Sequence, residues 1–347
     1  MQYLKVTASA PGMRLLGRLD PEQDPVALDW TGSGLEIRFR GSDLWAELEA
    51  PAQDPVMWMI VLADGCPVTR FPVEAGCRFY PLLRGMDPAY ERTVSLLKET
   101  QPMPSDPGAT VLLHGIRLCG ELTELPAYDR CIEFIGDSLT SAEGALAPRG
   151  NEEWITPWFT CRGNYSWYAC AALNAERRIL SQSGYGVCWS WEHNAECNMY
   201  NGYEKTVGVL SGPEAEKRGC QKPYDFSARP ADIVCIRLLT NDLVGIGQKN
   251  SLEADRGTVV AGCVAMIRKV RACNPGAKIV WILPGSDFMP ELAEEAVSRA
   301  RAEGIGGLYS FAVPDYTDEE KGARDHPDAG YNKKIGLMLG DYLKTLL

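Results

Sequence analysis

Alternating apolar and charged positions dominate the first third of the chain. Leu35-Glu36-Ile37-Arg38-Phe39-Arg40 sends every second side chain to one face, the pattern of a strand with one buried side. Further runs lie at Val26 to Trp30, Leu44 to Leu48, Met57 to Leu62, Arg70 to Val73, Cys77 to Leu82, Arg92 to Leu97 and Thr110 to Leu118. Turn-forming stretches separate them, among them Thr31-Gly32-Ser33-Gly34, Gly41-Ser42-Asp43 and Ala63-Asp64-Gly65. Short strands at this spacing predict an all-β sandwich over residues 1–126, with no long amphipathic helix before Pro126.

The pattern changes after Pro126-Ala127-Tyr128-Asp129. Strands are predicted at Ile132 to Ile135, Arg178 to Ser181, Ile233 to Leu239, Lys278 to Leu283 and Gly307 to Ala312. The third, Ile-Val-Cys-Ile-Arg-Leu-Leu, is apolar enough to be buried on both faces. Helices are predicted between them: Ser166 to Glu176 behind a capping Asn164, Arg256 to Cys273 stopped by Asn274-Pro275-Gly276, and Glu291 to Glu303. Tyr331 to Leu346 carries Ile335, Leu339, Tyr342 and Leu346 at helical spacing and closes the fold. Strand–helix alternation predicts an α/β unit over residues 127–347, a parallel sheet covered by helices on both faces.

Composition narrows the function. With 45% hydrophobic and 23% charged residues, the 347-residue chain has a globular balance. A net charge of -11 argues against nucleic acid or an anionic membrane as the main partner. No apolar run has the length of a membrane span, and Met1 to Thr7 lacks the apolar core of a secretory signal, so a cytoplasmic protein is expected. The twelve cysteines form no Cys-x-x-Cys pair, and neither a metal site nor a disulfide framework is expected. Only His114, His193 and His326 are available to an imidazole mechanism.

The candidate chemistry starts at Cys131 to Thr140. A buried strand runs into Gly136-Asp137-Ser138, a turn that lifts Ser138 to the rim of the sheet and aims its N–H at a developing anion. Asp137 is expected to brace the turn. Gly184 follows a predicted strand, and a glycine there lets its N–H approach a substrate oxygen. Asn241 offers an uncharged amide donor suited to a transient oxyanion, with Asp242 beside it in a structural role. His326, between Asp325 and Pro327, is the candidate base. Trp189, Trp191 and His193 are expected to line the substrate pocket, Trp154 and Trp158 to cover it, and His114 to be structural. Five of the nine tryptophans (Trp154, Trp158, Trp167, Trp189, Trp191) lie near these segments, which suits a carbohydrate cleft, although core packing is the ordinary use of any one of them.

Gly136-Asp137-Ser138-Leu139, Ser183-Gly184, Thr240-Asn241-Asp242 and Asp325-His326-Pro327, in that order, resemble the four blocks of the GDSL, or SGNH, hydrolase superfamily. Two positions depart from its pattern. Leu239 stands where the third block has glycine, and Ala323 stands where the last block has the acid that orients the histidine. Asp325, a neighbour such as Asp318, or a backbone carbonyl is left for that task. The run Leu15-Leu16-Gly17-Arg18 and the stretch Leu28 to Phe39 extend the likeness to carbohydrate esterase family two. That resemblance implies a jelly-roll domain ahead of a flavodoxin-like three-layer α/β/α SGNH domain. It also implies a Ser138–His326 dyad, an oxyanion hole from the N–H groups of Ser138 and Gly184 and the Asn241 amide, and deacetylation of xylan- or mannan-type saccharides without metal or organic cofactor. The alternatives are a GDSL lipase or thioesterase with a long acyl channel, and a carbohydrate-binding protein whose hydrolase domain has decayed.

Overall fold

The computed structural model describes residues 1–7, 11–51, 54–249 and 252–347. Nine strands build the first part: β1 Gln2–Lys5, β2 Met13–Leu16, β3 Val26–Leu28, β4 Gly34–Ala50, β5 Met57–Ala63, β6 Cys66–Val73, β7 Gly76–Leu83, β8 Glu91–Lys98 and β9 Val111–Thr123. All their pairings are antiparallel. The sandwich turns on β4. Its first half pairs with β2 and β8 and its second half with β7, while β9 follows it across the change. Gly41-Ser42-Asp43, expected to be a turn between two strands, is instead a bulge inside one strand of 17 residues. The reason is steric. Gly41 faces Gly120 across the ladder, and a side chain on Gly41 would run into the Cys119 carbonyl and the Phe39 ring. Two glycines let the strands touch there and bend, so one strand serves both layers. Most apolar side chains of these strands form one core, while Leu16, Ile60, Leu62 and Leu97 pack with Cys161 of the second part.

The second part carries β10 Arg130–Gly136, β11 Ala175–Ser181, β12 Ile233–Arg237, β13 Lys278–Ile282 and β14 Leu308–Phe311. They form a wholly parallel sheet in the order β11-β10-β12-β13-β14. The helices are α1 Ser138–Ser141, α2 Tyr165–Ala171, α3 Met199–Gly202, α4 Pro213–Lys217, α5 Thr240–Lys249, α6 Leu252–Cys273, α7 Pro290–Ala302 and α8 Ala329–Lys344. Residues of α6 and α7 pack on one face of the sheet, and those of α2 and α8 on the other. This is the doubly wound α/β/α arrangement, in which sites form beyond the carboxyl ends of the strands where the order reverses. The reversal falls beside β10, whose carboxyl end leads through Asp137 to Ser138. The helix expected to reach Glu176 ends at Ala171, because Asn174 takes a left-handed φ of 46° and turns the chain into β11.

Arg18 ties the two sheets together. It leaves the sandwich and meets Glu133 on β10, with both residues at 0% exposure. Its Nε and Nη2 donate to the two carboxylate oxygens at 3.2 and 3.0 Å, and its guanidinium lies 4.4–4.7 Å from the ring centres of Tyr203, Tyr224 and Phe226. Trp30, also from the sandwich, is buried in the core of the α/β sheet and donates its indole N–H to Thr206 O at 2.8 Å.

Candidate active site

β10 delivers Ser138 to the first position of α1, and Asp137 caps that helix by accepting the Leu139 N–H at 3.0 Å. The chain from β14 to α8 brings His326 opposite, its Nε2 2.8 Å from Ser138 Oγ. On the far side of the ring, Nδ1 lies 2.9 Å from Arg324 O. A carbonyl can only accept, so Nδ1 carries the proton and Nε2 presents its lone pair to the serine hydroxyl. The orienting group is therefore a backbone carbonyl. Asp325 does not serve: its side chain is 82% exposed and pairs with Lys321 at 3.1 Å. Asp318 pairs with the same lysine at 2.9 Å. Arg324 and Asp325 take φ of 52° and 56°, and this left-handed pair turns the carbonyl inward while sending the Asp325 carboxylate out.

Gly184 has a φ of 79°, and a side chain there would press on the Trp191 indole. Both are reasons for glycine at this position. Asn241 opens α5, a helix the apolar pattern did not reveal, and donates to Tyr185 O at 3.1 Å and to Asp137 Oδ2 at a long 3.4 Å. Leu239 takes a φ of 118°, a conformation that costs a side-chain-bearing residue about 1–3 kcal/mol. Its complete burial offsets a similar amount, about 1.5–3 kcal/mol. Asp242 accepts the N–H groups of Val187 and Cys188 at 2.8 and 2.7 Å and so holds the loop that carries Gly184 and Trp191. Burial pushes the Asp137 carboxyl up to about 6, against the opposing pull of the Leu139 N–H, Arg237 and His326. Burial likewise raises Asp242 to about 6, against three backbone donors.

The serine opens into a cleft of about 810 Å³ that includes Gly184, Asn241 and His326 in its wall. Trp154 and Trp191, 37% and 46% exposed, present their rings to it. Two expected lining residues lie elsewhere. Trp189 is buried, gives its indole N–H to Asp242 O at 2.8 Å, and stacks on His193 at 4.3 Å. His193 in turn approaches Asp255 at 3.6 Å, behind the loop and outside the cleft wall. Trp158 and Trp167 also lie outside that wall. His114 pairs with Glu49 at 2.8 Å on the sandwich. Together with Cys77 these two form the one group among the described residues whose His, Cys and carboxylate atoms come within 4.8 Å of one another, and none of the three lines the cleft.

Several cleft residues carried no sequence signal. Gln101 and Met103 reach in from the sandwich. Gln101 Oε1 accepts Ser141 Oγ at 2.8 Å and the Ser183 N–H at 2.9 Å. Lys98 secures this loop: fully buried, it donates to the carbonyls of Asp29, Thr100 and Gln101 at 2.8, 2.8 and 3.0 Å, and burial pushes its pKa down to about 7. Arg237, 5% exposed, lies 4.8 Å from the Tyr165 ring centre at the cleft wall.

A serine hydroxyl bonded to an imidazole in the accepting tautomer, at the strand-order reversal of a doubly wound sheet, is the arrangement that nucleophilic serine chemistry requires. A sandwich packed against that sheet agrees with the resemblance to carbohydrate esterase family two, which runs along the length of the chain. No family model matches the sequence. It is similar to the cellulase/esterase CelE of Acetivibrio thermocellus, 27% identical across 97% of this chain and 40% of that protein. It is also similar to an acetylxylan esterase/glucomannan deacetylase of Cellvibrio japonicus, 24% identical over 79% of this chain and 72% of that protein. Among solved structures, the acetyl xylan esterase Est2A of the rumen bacterium Butyrivibrio proteoclasticus superposes with a TM-score of 0.94, 28% identity and 99% coverage of both chains. The chain thus spans two fifths of the length of the first of these relatives.

Proposed function

We propose that the protein is a serine esterase that removes O-acetyl groups from saccharides of the xylan or mannan type. The 2.8 Å contact between Ser138 Oγ and an imidazole held in the accepting tautomer carries this reading. His326 takes the serine proton as Oγ attacks the acetyl carbonyl. The N–H groups of Ser138 and Gly184 and the Asn241 amide stabilise the oxyanion. Collapse of the tetrahedral intermediate expels the sugar oxygen, which takes the proton from His326 and leaves acetyl-Ser138. Water, deprotonated by His326, then releases acetate. The two exposed indoles in the cleft support a sugar as the alcohol part, because flat apolar faces suit the C–H faces of pyranose rings.

The test is acetate release from acetylated xylo-oligosaccharides by wild type and Ser138→Ala. The variant should lose at least about 10⁴-fold in kcat. Equal rates would exclude Ser138 as nucleophile. Retained saccharide affinity with no turnover in either protein would favour a binding role, the reading to which Leu239 and Ala323 lend weight. We also place the protein in a reducing compartment such as the cytoplasm, on the observation that all twelve cysteines are unpaired thiols. Recovery of the native protein from outside its cells would overturn that placement. No helix among the described residues is long and apolar enough to cross a membrane.

A further inference from the structure

Glu143 follows α1 by two residues and is 4% exposed, deep for a carboxylate. One of its oxygens accepts Arg324 Nη1 at 2.6 Å, and the other accepts the Ser183 hydroxyl. These partners adjoin the two halves of the catalytic apparatus. Arg324 supplies the carbonyl that orients His326, and Ser183 precedes the Gly184 N–H.

Arg324 needs holding. It and Asp325 are consecutive non-glycine residues in the left-handed region, a conformation that persists only where surrounding contacts enforce it. Its N–H is fixed by Asn151 O at 2.8 Å, and its guanidinium by Glu143. Without that carboxylate, nothing among the described residues pairs with the guanidinium. The segment could then rotate toward an ordinary conformation, carrying its carbonyl away from Nδ1.

We propose that Glu143 is a positioning residue that holds the backbone carbonyl standing in for the missing orienting acid. It acts on His326 through Arg324 and on the Gly184 donor through Ser183, so that one buried carboxylate keeps base and oxyanion hole in register. The proposal rests on the esterase reading for its kinetic consequence and on geometry alone for its structural one.

The experiment compares wild type with Glu143→Gln, Arg324→Met and the double variant. p-Nitrophenyl acetate and acetylated xylo-oligosaccharides serve as substrates. Glu143→Gln keeps the size of the side chain and removes its charge. Each single change should lower kcat about tenfold, with KM moving less than about twofold, because the substrate still binds while the base is misaligned. The double variant should fall within about threefold of the weaker single, not about a hundredfold below wild type, since both changes cut one linkage. Arg324→Lys, which keeps a cation for Glu143, should recover part of the Arg324→Met loss. A readout free of turnover accompanies these: in ¹⁵N-labelled protein the His326 Nδ1–H proton should be protected in wild type and broadened by exchange in Glu143→Gln. An unchanged Nδ1–H signal, or multiplicative losses in the double variant, would overturn the proposal. Inactive wild type with the expected change in that signal would instead reject the esterase reading and leave the positioning role standing.

Discussion

Replacing Arg18 by methionine removes the bond between the two sheets, together with the donors that Arg18 gives to the carbonyls of Tyr203 and Lys205. Arg18 and Glu133 are both fully buried and joined by two hydrogen bonds. Methionine keeps most of the apolar stem, so little cavity forms, but it strands the Glu133 carboxylate. What remains to Glu133 is the Tyr203 hydroxyl at 2.7 Å and Arg178 at 4.0 Å. Breaking a buried pair from one side costs about 3–5 kcal/mol, most of it from the uncompensated charge. Loss of the cation over three aromatic rings acts in the same direction. The assay is guanidinium chloride unfolding followed by tryptophan fluorescence and circular dichroism, with the shift in midpoint multiplied by the slope. Adding Glu133→Leu should return at least half of the loss, because an apolar replacement removes the stranded charge. A single-variant cost below about 1 kcal/mol would refute the reasoning. So would a double variant less stable than the single.

Two other measurements probe the site. Asn241→Ala should lower kcat by about 10²–10³ with little change in KM if its amide serves the oxyanion, and a loss under about tenfold would remove it from that role. The raised carboxyls of Asp137 and Asp242 give a pH dependence of stability whose sign is opposite to that of a salt-bridged acid. Between their ordinary value of 3.8 and about 6, the native state holds protons that the unfolded chain has released, so stability falls as pH rises through this window. The cost is absent below the window and complete above it, on the order of 3 kcal/mol per group. Asp242→Asn should flatten the slope of unfolding free energy between pH 4 and 6, and an unchanged slope would show that Asp242 does not contribute.

Much of this was legible in the sequence, for identifiable reasons. Strands such as Met57–Ala63 and Ile233–Arg237 are buried along most of their length, so their apolar content announced them. Ser138 and His326 stood out because a strand-to-helix turn and a scarce residue type are local features. α5 did not stand out because only two residues separate it from β12 and because its first turn, Thr240-Asn241-Asp242, serves the site instead of an apolar stripe. Trp189 and Trp191 show the limit of composition. Two residues apart, one is buried under the loop and the other faces the cleft, and only tertiary packing separates them. Asp325 misled because adjacency to His326 in sequence says nothing about the sign of φ, and the left-handed pair at 324–325 turned the carboxylate outward. Glu143, Gln101 and Arg18 reach their partners across 181, 82 and 115 residues, distances at which no motif speaks.

Gln101 and its neighbour Met103 make the sandwich a wall of the catalytic chamber, not a passenger tethered beside it. On the proposed esterase reading, preference for one sugar over another can therefore drift through replacements in a turn on one sheet while the reacting groups on the other stay fixed. An engineer seeking a new saccharide would graft that turn and leave the nucleophile's half untouched. For the same reason, cutting the chain at the junction would yield an α/β half with an open flank, lacking both the Gln101 brace on Ser141 and Ser183 and the indole that fills its core.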